Sequence, residues 1–340
     1  MPVDELDERT LTAYLNEHVP ELGALASLDK FKDGQSNPTF LLRAANGRFV
    51  LRKQPPGKLL KSAHAVDREY RVMRALADTA VPVPRVLHLC DDPGVIDGKF
   101  FVMSFEDGRT FWDAALPELD DEGRSAVYAE MNRILAALHD VDVEAVGLGD
   151  YGRPGNYFAR QTHRWSEQYR HSETAAIPAM DRLIDWLPSN LPADDGQVSL
   201  IHGDYRLDNI MFQADGYGAL AVLDWELSTL GHPYADLAYQ CMQLRLPRDA
   251  AIPGLGSMDR GALGVPTEEE YVAAYCAARG LDGIPNWSFY LAFSFFRLAA
   301  ILQGVMKRAI DGNASSEKAL EYGGMASVLA DMGVDIVERA

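Results

Sequence analysis

At 340 residues, of which 47% are hydrophobic and 24% charged, the chain outgrows a single hydrophobic core, so two lobes sharing a cleft are expected. A formal charge of −18 argues against general nucleic-acid or anionic-membrane binding, both of which want a basic surface. No apolar run approaches the roughly 18 residues needed to span a bilayer, and Cys90, Cys241 and Cys276 are too few and too far apart for a disulfide framework or a structural zinc site. The acidic start MPVDELDERT lacks a basic n-region and an apolar h-region, so a cytoplasmic protein is expected. The acidity is uneven: residues 1–106 carry 14 Lys and Arg against 15 Asp and Glu, whereas residues 107–340 carry 18 against 35.

In chain order, Thr39–Arg43 and Arg48–Lys53 alternate around Asn46-Gly47 and predict a β-hairpin, closed by Pro55-Pro56-Gly57. Val66, Tyr70, Met73 and Leu76 recur at helical spacing with charges on the other faces, predicting a helix over Val66–Leu76. Arg85–Leu89 and Phe100–Phe105 read as short strands. After Glu106-Asp107-Gly108 helices dominate: Ser125–His139, Phe158–Arg170, Thr267–Arg279 and Trp287–Arg308, interrupted by short apolar strands at Val198–His202 and Ala219–Asp224. There is no internal repeat or low-complexity linker, so 106–108 reads as a hinge between a lobe over 1–105 and a lobe over 106–340.

The chemistry concentrates in His202-Gly203-Asp204-Tyr205-Arg206-Leu207-Asp208-Asn209-Ile210, followed fifteen residues after Asn209 by Asp224-Trp225-Glu226 at a strand end. This spacing resembles a kinase catalytic loop, H-R-D-x-x-x-x-N, followed by D-F-G. The resemblance implies that Asp204 is the base taking the proton of a substrate hydroxyl, and that Asn209 and Asp224 hold Mg²⁺ against the phosphates of ATP. Hard oxygen ligands suit Mg²⁺, and a carboxylate beside an attacking hydroxyl can accept its proton as charge develops.

His-Gly-Asp in place of His-Arg-Asp resembles the aminoglycoside phosphotransferase and choline kinase-like branch, over nearly the whole chain from 38 to about 308. That resemblance implies an α+β, bilobal protein-kinase-like fold, with a β-rich N-terminal nucleotide-binding lobe and a mainly helical C-terminal lobe. It implies a small-molecule kinase with Asp204, Asn209 and Asp224 converging. Phe49–Lys53 takes the place of V-A-I-K, whose lysine grips phosphate and pairs with a helix glutamate, supplied here by Glu69. Alternation puts Val50 and Arg52 on one strand face and Leu51 and Lys53 on the other, leaving Arg52 and Lys53 both as candidates; alignment on the family favours Arg52. Met103-Ser104-Phe105 resembles the hinge that bonds adenine, while Asp33-Gly34-Gln35-Ser36-Asn37-Pro38 has one glycine where protein kinases use G-x-G-x-x-G. Asp236, in Gly231–Leu237, is expected to buttress the catalytic loop, with a metal role beside His232 as the other reading. Gly147–Gly152 matches G-x-G-x-x-G but is followed by Arg153-Pro154-Gly155, not by a helix, so it is not read as a dinucleotide site.

Two segments, 149–161 and 293–309, look like the kinase-like domains found beside acyl-CoA dehydrogenases. They suggest a hydroxy-acid or hydroxyacyl thioester acceptor, a dehydrogenase partner, and anion contacts from Arg153, Arg160, Arg164 and Arg170. An aminoglycoside or amino-alcohol acceptor suits the acidic second segment, and a catalytically silent nucleotide-binding module serving a dehydrogenase is a third reading. Neither nucleic acid nor membrane is expected as a partner.

Overall fold

The computed structural model describes residues 6–31, 37–55, 65–312 and 318–339. The chain forms two compact units: the first comprises Met1–Arg109, Val146–Leu148 and Asn209–Ser228, and the second Thr110–Ala145, Gly149–Asp208 and Thr229–Ala340.

The first unit opens with helix α1 (Glu8–His18), capped by the Asp7 carboxylate, which accepts from the amides of Arg9 and Thr10. Strands β1 (Leu25–Lys30), β2 (Thr39–Ala44), β3 (Gly47–Lys53), β4 (Val86–Cys90) and β5 (Phe100–Ser104) form an antiparallel sheet in the order β1-β2-β3-β5-β4. Helix α2 (Val66–Leu76) lies between β3 and β4, and the short α3 (Pro93–Ile96) between β4 and β5.

Because side chains alternate along a strand, the sheet has two faces of different character. Phe40, Leu42, Phe49, Leu51, Phe100 and Val102 form one face and pack with Leu11 and Leu15 of α1 as a hydrophobic core. The opposite face carries Val50, Arg52, Phe101 and Met103, with Val50 opposite Met103 and Arg52 opposite Phe101. The β2–β3 turn is centred on Ala45-Asn46, since Ala44 pairs with Gly47, one residue earlier than the expected Asn46-Gly47. Residues 21–24 account for the shift: Ala45 and Asn46 donate their amides to the carbonyls of Ala24 and Leu22, and Asn46 Nδ2 donates to that of Glu21.

A hairpin of β8 (Ile210–Gln213) and β9 (Ala219–Val222) completes this unit, alongside residues 108–109 of β6 (Gly108–Thr110) in the order β6-β8-β9. Gly108 is required there, because a Cβ would lie 2.3 Å from the Phe212 carbonyl oxygen. The Val222 amide donates to Pro82 O at 2.8 Å, tying the hairpin to the segment before β4.

The second unit is helical: α4 (Asp121–His139), α5 (Tyr157–Ser172), α6 (Pro178–Ser189), α7 (Tyr234–Arg245), α8 (Glu268–Arg279), α9 (Trp287–Ile310) and α10 (Ala319–Glu338), with β7 (Ser199–Ile201) and β10 (Thr229–Gly231) paired antiparallel. The α8 N-terminus carries a reciprocal capping box between Thr267 and Glu270. Helix α9 corrects the expectation that no segment matches a membrane span. An 18-residue window has a mean hydropathy of 1.6, enough by length and composition, yet 83% of it is buried within the protein. Helix α9 packs against α5, α6, α7 and α10, so its apolar character belongs to a core helix.

Candidate active site

In the first unit, the polar end of the sheet's second face borders a cavity of about 220 Å³. Its walls are largely apolar, from Phe31, Val50, Met73, Phe101, Met103, Phe105, Met211 and Leu223, and its charged groups are Arg52, Glu69, Glu106 and Asp224. Four of the residues singled out for the nucleotide, Arg52, Glu69, Ser104 and Phe105, and one singled out for metal, Asp224, line this one cavity.

Arg52 bridges two carboxylates, with Nε 3.0 Å from Glu69 Oε2 and Nη2 2.6 Å from Asp224 Oδ1. Glu69 is also held by Asn37, whose Nδ2 donates to Oε1 at 2.9 Å. Burial, opposed by Arg52 and reinforced by Asp224 and Glu226, pushes the Glu69 carboxyl up to about 7. Burial disfavours the charge on Arg52, but Glu69, Asp224 and Glu226 outweigh it and hold its pKa above the ordinary arginine value. Lys53 takes the other face: its Nζ donates to Ile96 O at 2.8 Å, and it does not line the cavity.

At the rim, the Ser104 amide donates to Arg85 O, and its hydroxyl accepts from Arg85 N and donates to Glu106 Oε1 at 2.5 Å. Arg48 lies over the Phe105 ring at 4.3 Å. Asn209 enters β8 as Asp224 leaves β9. The pairing of Ile210 with Val222, and the Leu223 amide donating to Asn209 O at 2.8 Å, set the two ends side by side. Asp224 has φ 63°, a left-handed conformation uncommon for a non-glycine residue. The expected glycine-poor loop falls largely on 33–36, outside the described residues.

In the second unit, the His202–Asp208 loop follows β7 and is fixed through its backbone. The buried Asp236 carboxylate accepts from the amides of His202 at 2.6 Å and Gly203 at 2.9 Å. Burial works against its charge, but His139, 3.5 Å away, and His202 and the Gly203 amide hold its pKa below the usual carboxylate range. Gly203 sits at φ +82°, where side chains are strained, and its carbonyl accepts from Arg297 Nη2 at 2.6 Å. Arg297 also lies over Tyr239 at 5.2 Å and Trp165 at 5.8 Å. The next residue, Asp204, is part-buried, its amide donating to His202 Nδ1 and its carboxylate 3.6 Å from Arg206 Nε. Sequence reasoning missed Arg297 and Tyr239, which lie outside the motif in sequence and are recruited to the loop by α9 and α7.

Asp236 therefore buttresses the loop, while His232 bonds Asp195 at 3.2 Å, so the two face different partners. Among the described residues no group of three His, Cys, Asp or Glu side chains is arranged to hold a metal. After Gly147–Gly152 no helix begins until Tyr157. Of the four arginines near α5, Arg170 is ion-paired with Asp181 at 2.6 Å. Arg160 donates to the carbonyls of Arg153 and Pro154, and Arg164 lies over the Trp165 ring.

The chain matches the model of the phosphotransferase enzyme family over residues 27–292. It is 46% identical over 340 residues to mouse acyl-CoA dehydrogenase family member 10, covering all of this chain and 31% of that protein. It is 42% identical over 344 residues to rat acyl-CoA dehydrogenase family member 11, again over its whole length and 44% of the relative. The chain thus spans less than half of these curated relatives. Among solved structures, a Ralstonia eutropha protein provisionally described as an aminoglycoside phosphotransferase superposes with a TM-score of 0.91 at 48% identity, over 99% of both chains. A ternary complex of the aminoglycoside phosphotransferase APH(4)-Ia with ADP and hygromycin B shares the fold at 15% identity, with a TM-score of 0.64 over 96% of this chain and 98% of that one.

Proposed function

Because this chain belongs to the phosphotransferase enzyme family, we propose that it uses ATP and Mg²⁺ to phosphorylate a hydroxyl of a small molecule, by direct in-line transfer without a phosphoenzyme. The observation that carries this reading is the charged end of the 220 Å³ cavity, where Arg52 lies between Glu69 and Asp224. Apolar walls suit a purine, and one cation beside paired carboxylates suits a magnesium–phosphate group.

In this mechanism Arg52 contacts the phosphates and Glu69 holds its guanidinium in place. Ser104 and Phe105 border the base. Asp224 and Asn209, emerging side by side from β9 and β8, are the oxygen donors for Mg²⁺, a set whose hard ligands fit that ion. When bound, Mg²⁺ supplies charge neutralisation at the transferring phosphoryl group. Asp204, five residues before Asn209 in the sequence, accepts the hydroxyl proton, and the clamp on Gly203 from Asp236 and Arg297 fixes the backbone that carries it. Lys53 has no role in this scheme.

For the acceptor we favour a hydroxy acid or hydroxyacyl thioester, supported by the acyl-CoA dehydrogenase names of the relatives and by the arginines at the start of α5. The same names favour a dehydrogenase as partner. An aminoglycoside or amino alcohol is the alternative, favoured by the description of the Ralstonia protein and by the acidic second segment. A metabolite-library screen for ADP release tests activity and acceptor together. Turnover of a hydroxyacyl compound supports the favoured reading, robust aminoglycoside phosphorylation replaces it, and no ADP release with any hydroxyl compound leaves the silent nucleotide-binding module.

A further inference from the structure

A line of polar groups in the second unit runs from the half-buried Arg279 at the end of α8, through buried Tyr275, His139 and Asp236, to the loop that carries Asp204. Arg279 Nη1 donates to Tyr275 Oη at 2.9 Å, and its Nε lies 2.5 Å from the Asp140 carboxylate. Tyr275 Oη is 2.7 Å from His139 Nδ1, and His139 Nε2 is 3.5 Å from Asp236 Oδ2. Asp236 in turn accepts the amides of His202 and Gly203. Tyr275 and the His139 side chain are inaccessible to solvent, and burial lowers the His139 pKa ahead of the opposing effect of Asp236, so the ring is neutral.

The direction of each bond follows from the donor inventory. A guanidinium has donors only, so the Tyr275 oxygen accepts from Arg279, and the single phenolic proton points to the nearest acceptor, His139 Nδ1. A neutral imidazole with an accepting Nδ1 carries its proton on Nε2, the nitrogen facing Asp236. The other tautomer would set two acceptors, the Nε2 lone pair and the carboxylate, against each other in a site without solvent, where an unmade hydrogen bond is most costly.

We propose that Tyr275 and Arg279 are positioning residues that fix the tautomer of His139 and, through Asp236, the backbone amides of the Asp204 loop. The links are hydrogen bonds apart from the 3.5 Å polar contact of His139 Nε2 with Asp236, no covalent bond is made or broken, and the ordering of the loop does not depend on the acceptor. Only the expected effect on rate rests on the reading of Asp204 as the base.

The test uses the full chain with ¹⁵N-labelled histidine and reads the His139 ring nitrogens by long-range NMR correlation in wild type, Tyr275→Phe and Arg279→Met. Wild type should show a bare Nδ1 and a protonated Nε2. Tyr275→Phe removes the donor, and Arg279→Met keeps the phenol but frees it to accept, so both should populate the Nδ1-protonated ring. Hydrogen exchange at the His202 and Gly203 amides should then rise by roughly tenfold as the carboxylate loses its partner. Turnover should fall by roughly the same factor with the KM for Mg-ATP unchanged, less than the ~10²-fold cost of a 1 Å misplacement. A wild-type ring protonated on Nδ1 overturns the proposal, as do variants that keep both the wild-type ring signature and the wild-type amide exchange. Should Tyr275→Phe fail to fold, Arg279→Met carries the same comparison. The expected ring and exchange changes in a protein that transfers no phosphate would uphold this inference and sink the proposed function.

Discussion

Glu69 is 2% exposed and shares its surroundings with Arg52, Asp224 and Glu226, and burial pushes its carboxyl up to about 7 from an ordinary 4.5. Between those values the folded chain binds more protons than the unfolded one, so this carboxyl's contribution to stability is fully present below about pH 4.5 and is lost as pH rises through 7. Glu69→Gln, which cannot titrate, should therefore gain stability relative to wild type between pH 5 and pH 7.5. Thermal unfolding of both proteins at both pH values checks this, and a pH-independent difference would contradict the stated environment. At this scale the sequence was informative where a strict period applied. Alternation separated Arg52 from Lys53 by face, and the fold then assigned the faces, with Arg52 to the cavity and Lys53 to the Ile96 carbonyl. It was uninformative for Arg297 and Tyr239, whose approach to the loop depends on how α9 and α7 pack. The α5 arginines also divide by environment: Arg170 is committed to Asp181, whereas Arg160 donates to the backbone carbonyls of Arg153 and Pro154. With a hydroxyacyl acceptor, Arg160→Ala should raise the acceptor KM severalfold, and Arg170→Ala should leave it within about twofold, as a rim charge already paired in an exposed ion pair contributes little. Steady-state kinetics with the two variants makes the comparison.

Among the elements, α2 was legible at both ends because Val66, Met73 and Leu76 hold a strict helical period, and β3 and β5 because their apolar runs are short and bounded. Helices α1 and α10 were not anticipated. In α1 only Leu11 and Leu15 are buried, too sparse a stripe to read as a period, and α10 carries Gly323-Gly324, a pair that usually argues against a helix. Gly323 is there because a Cβ would lie 2.6 Å from Met306 Cβ, so the close approach of α10 to α9 selects it. Leu11 is fully buried in the core on the sheet face opposite Arg52, so Leu11→Ala should destabilise the first unit by about 2–5 kcal/mol. Denaturant unfolding measures the loss, and a change below about 1 kcal/mol would mean that α1 is not part of that core.

For the whole molecule, the sequence conveyed the α+β class and the phosphotransferase family because the residues from His202 to Asp224 bring their chemistry in nearly contiguous order. The division of the chain was harder to read. The Asn209–Ser228 hairpin belongs to the first unit although it lies a hundred residues beyond Arg109, because its hydrogen bonds go to Pro82 and to the β6 edge. Return segments of this kind leave no mark on composition or periodicity. The hairpin carries Asn209 and Asp224, whereas Asp204 stays in the second unit, so the two proposed roles, metal binding and proton transfer, can be separated by mutation. Isothermal titration with Mg-ATP, run beside ADP release on an acceptor found by screening, tests the central claim most directly. Asp204→Asn should bind Mg-ATP nearly as wild type while transfer slows roughly 10²–10⁴-fold, the usual worth of a positioned base. Asp224→Asn should weaken Mg-dependent nucleotide binding itself, since it removes a charged oxygen from the metal shell. Unchanged turnover in Asp204→Asn, or equal loss of nucleotide binding in both variants, would contradict the account.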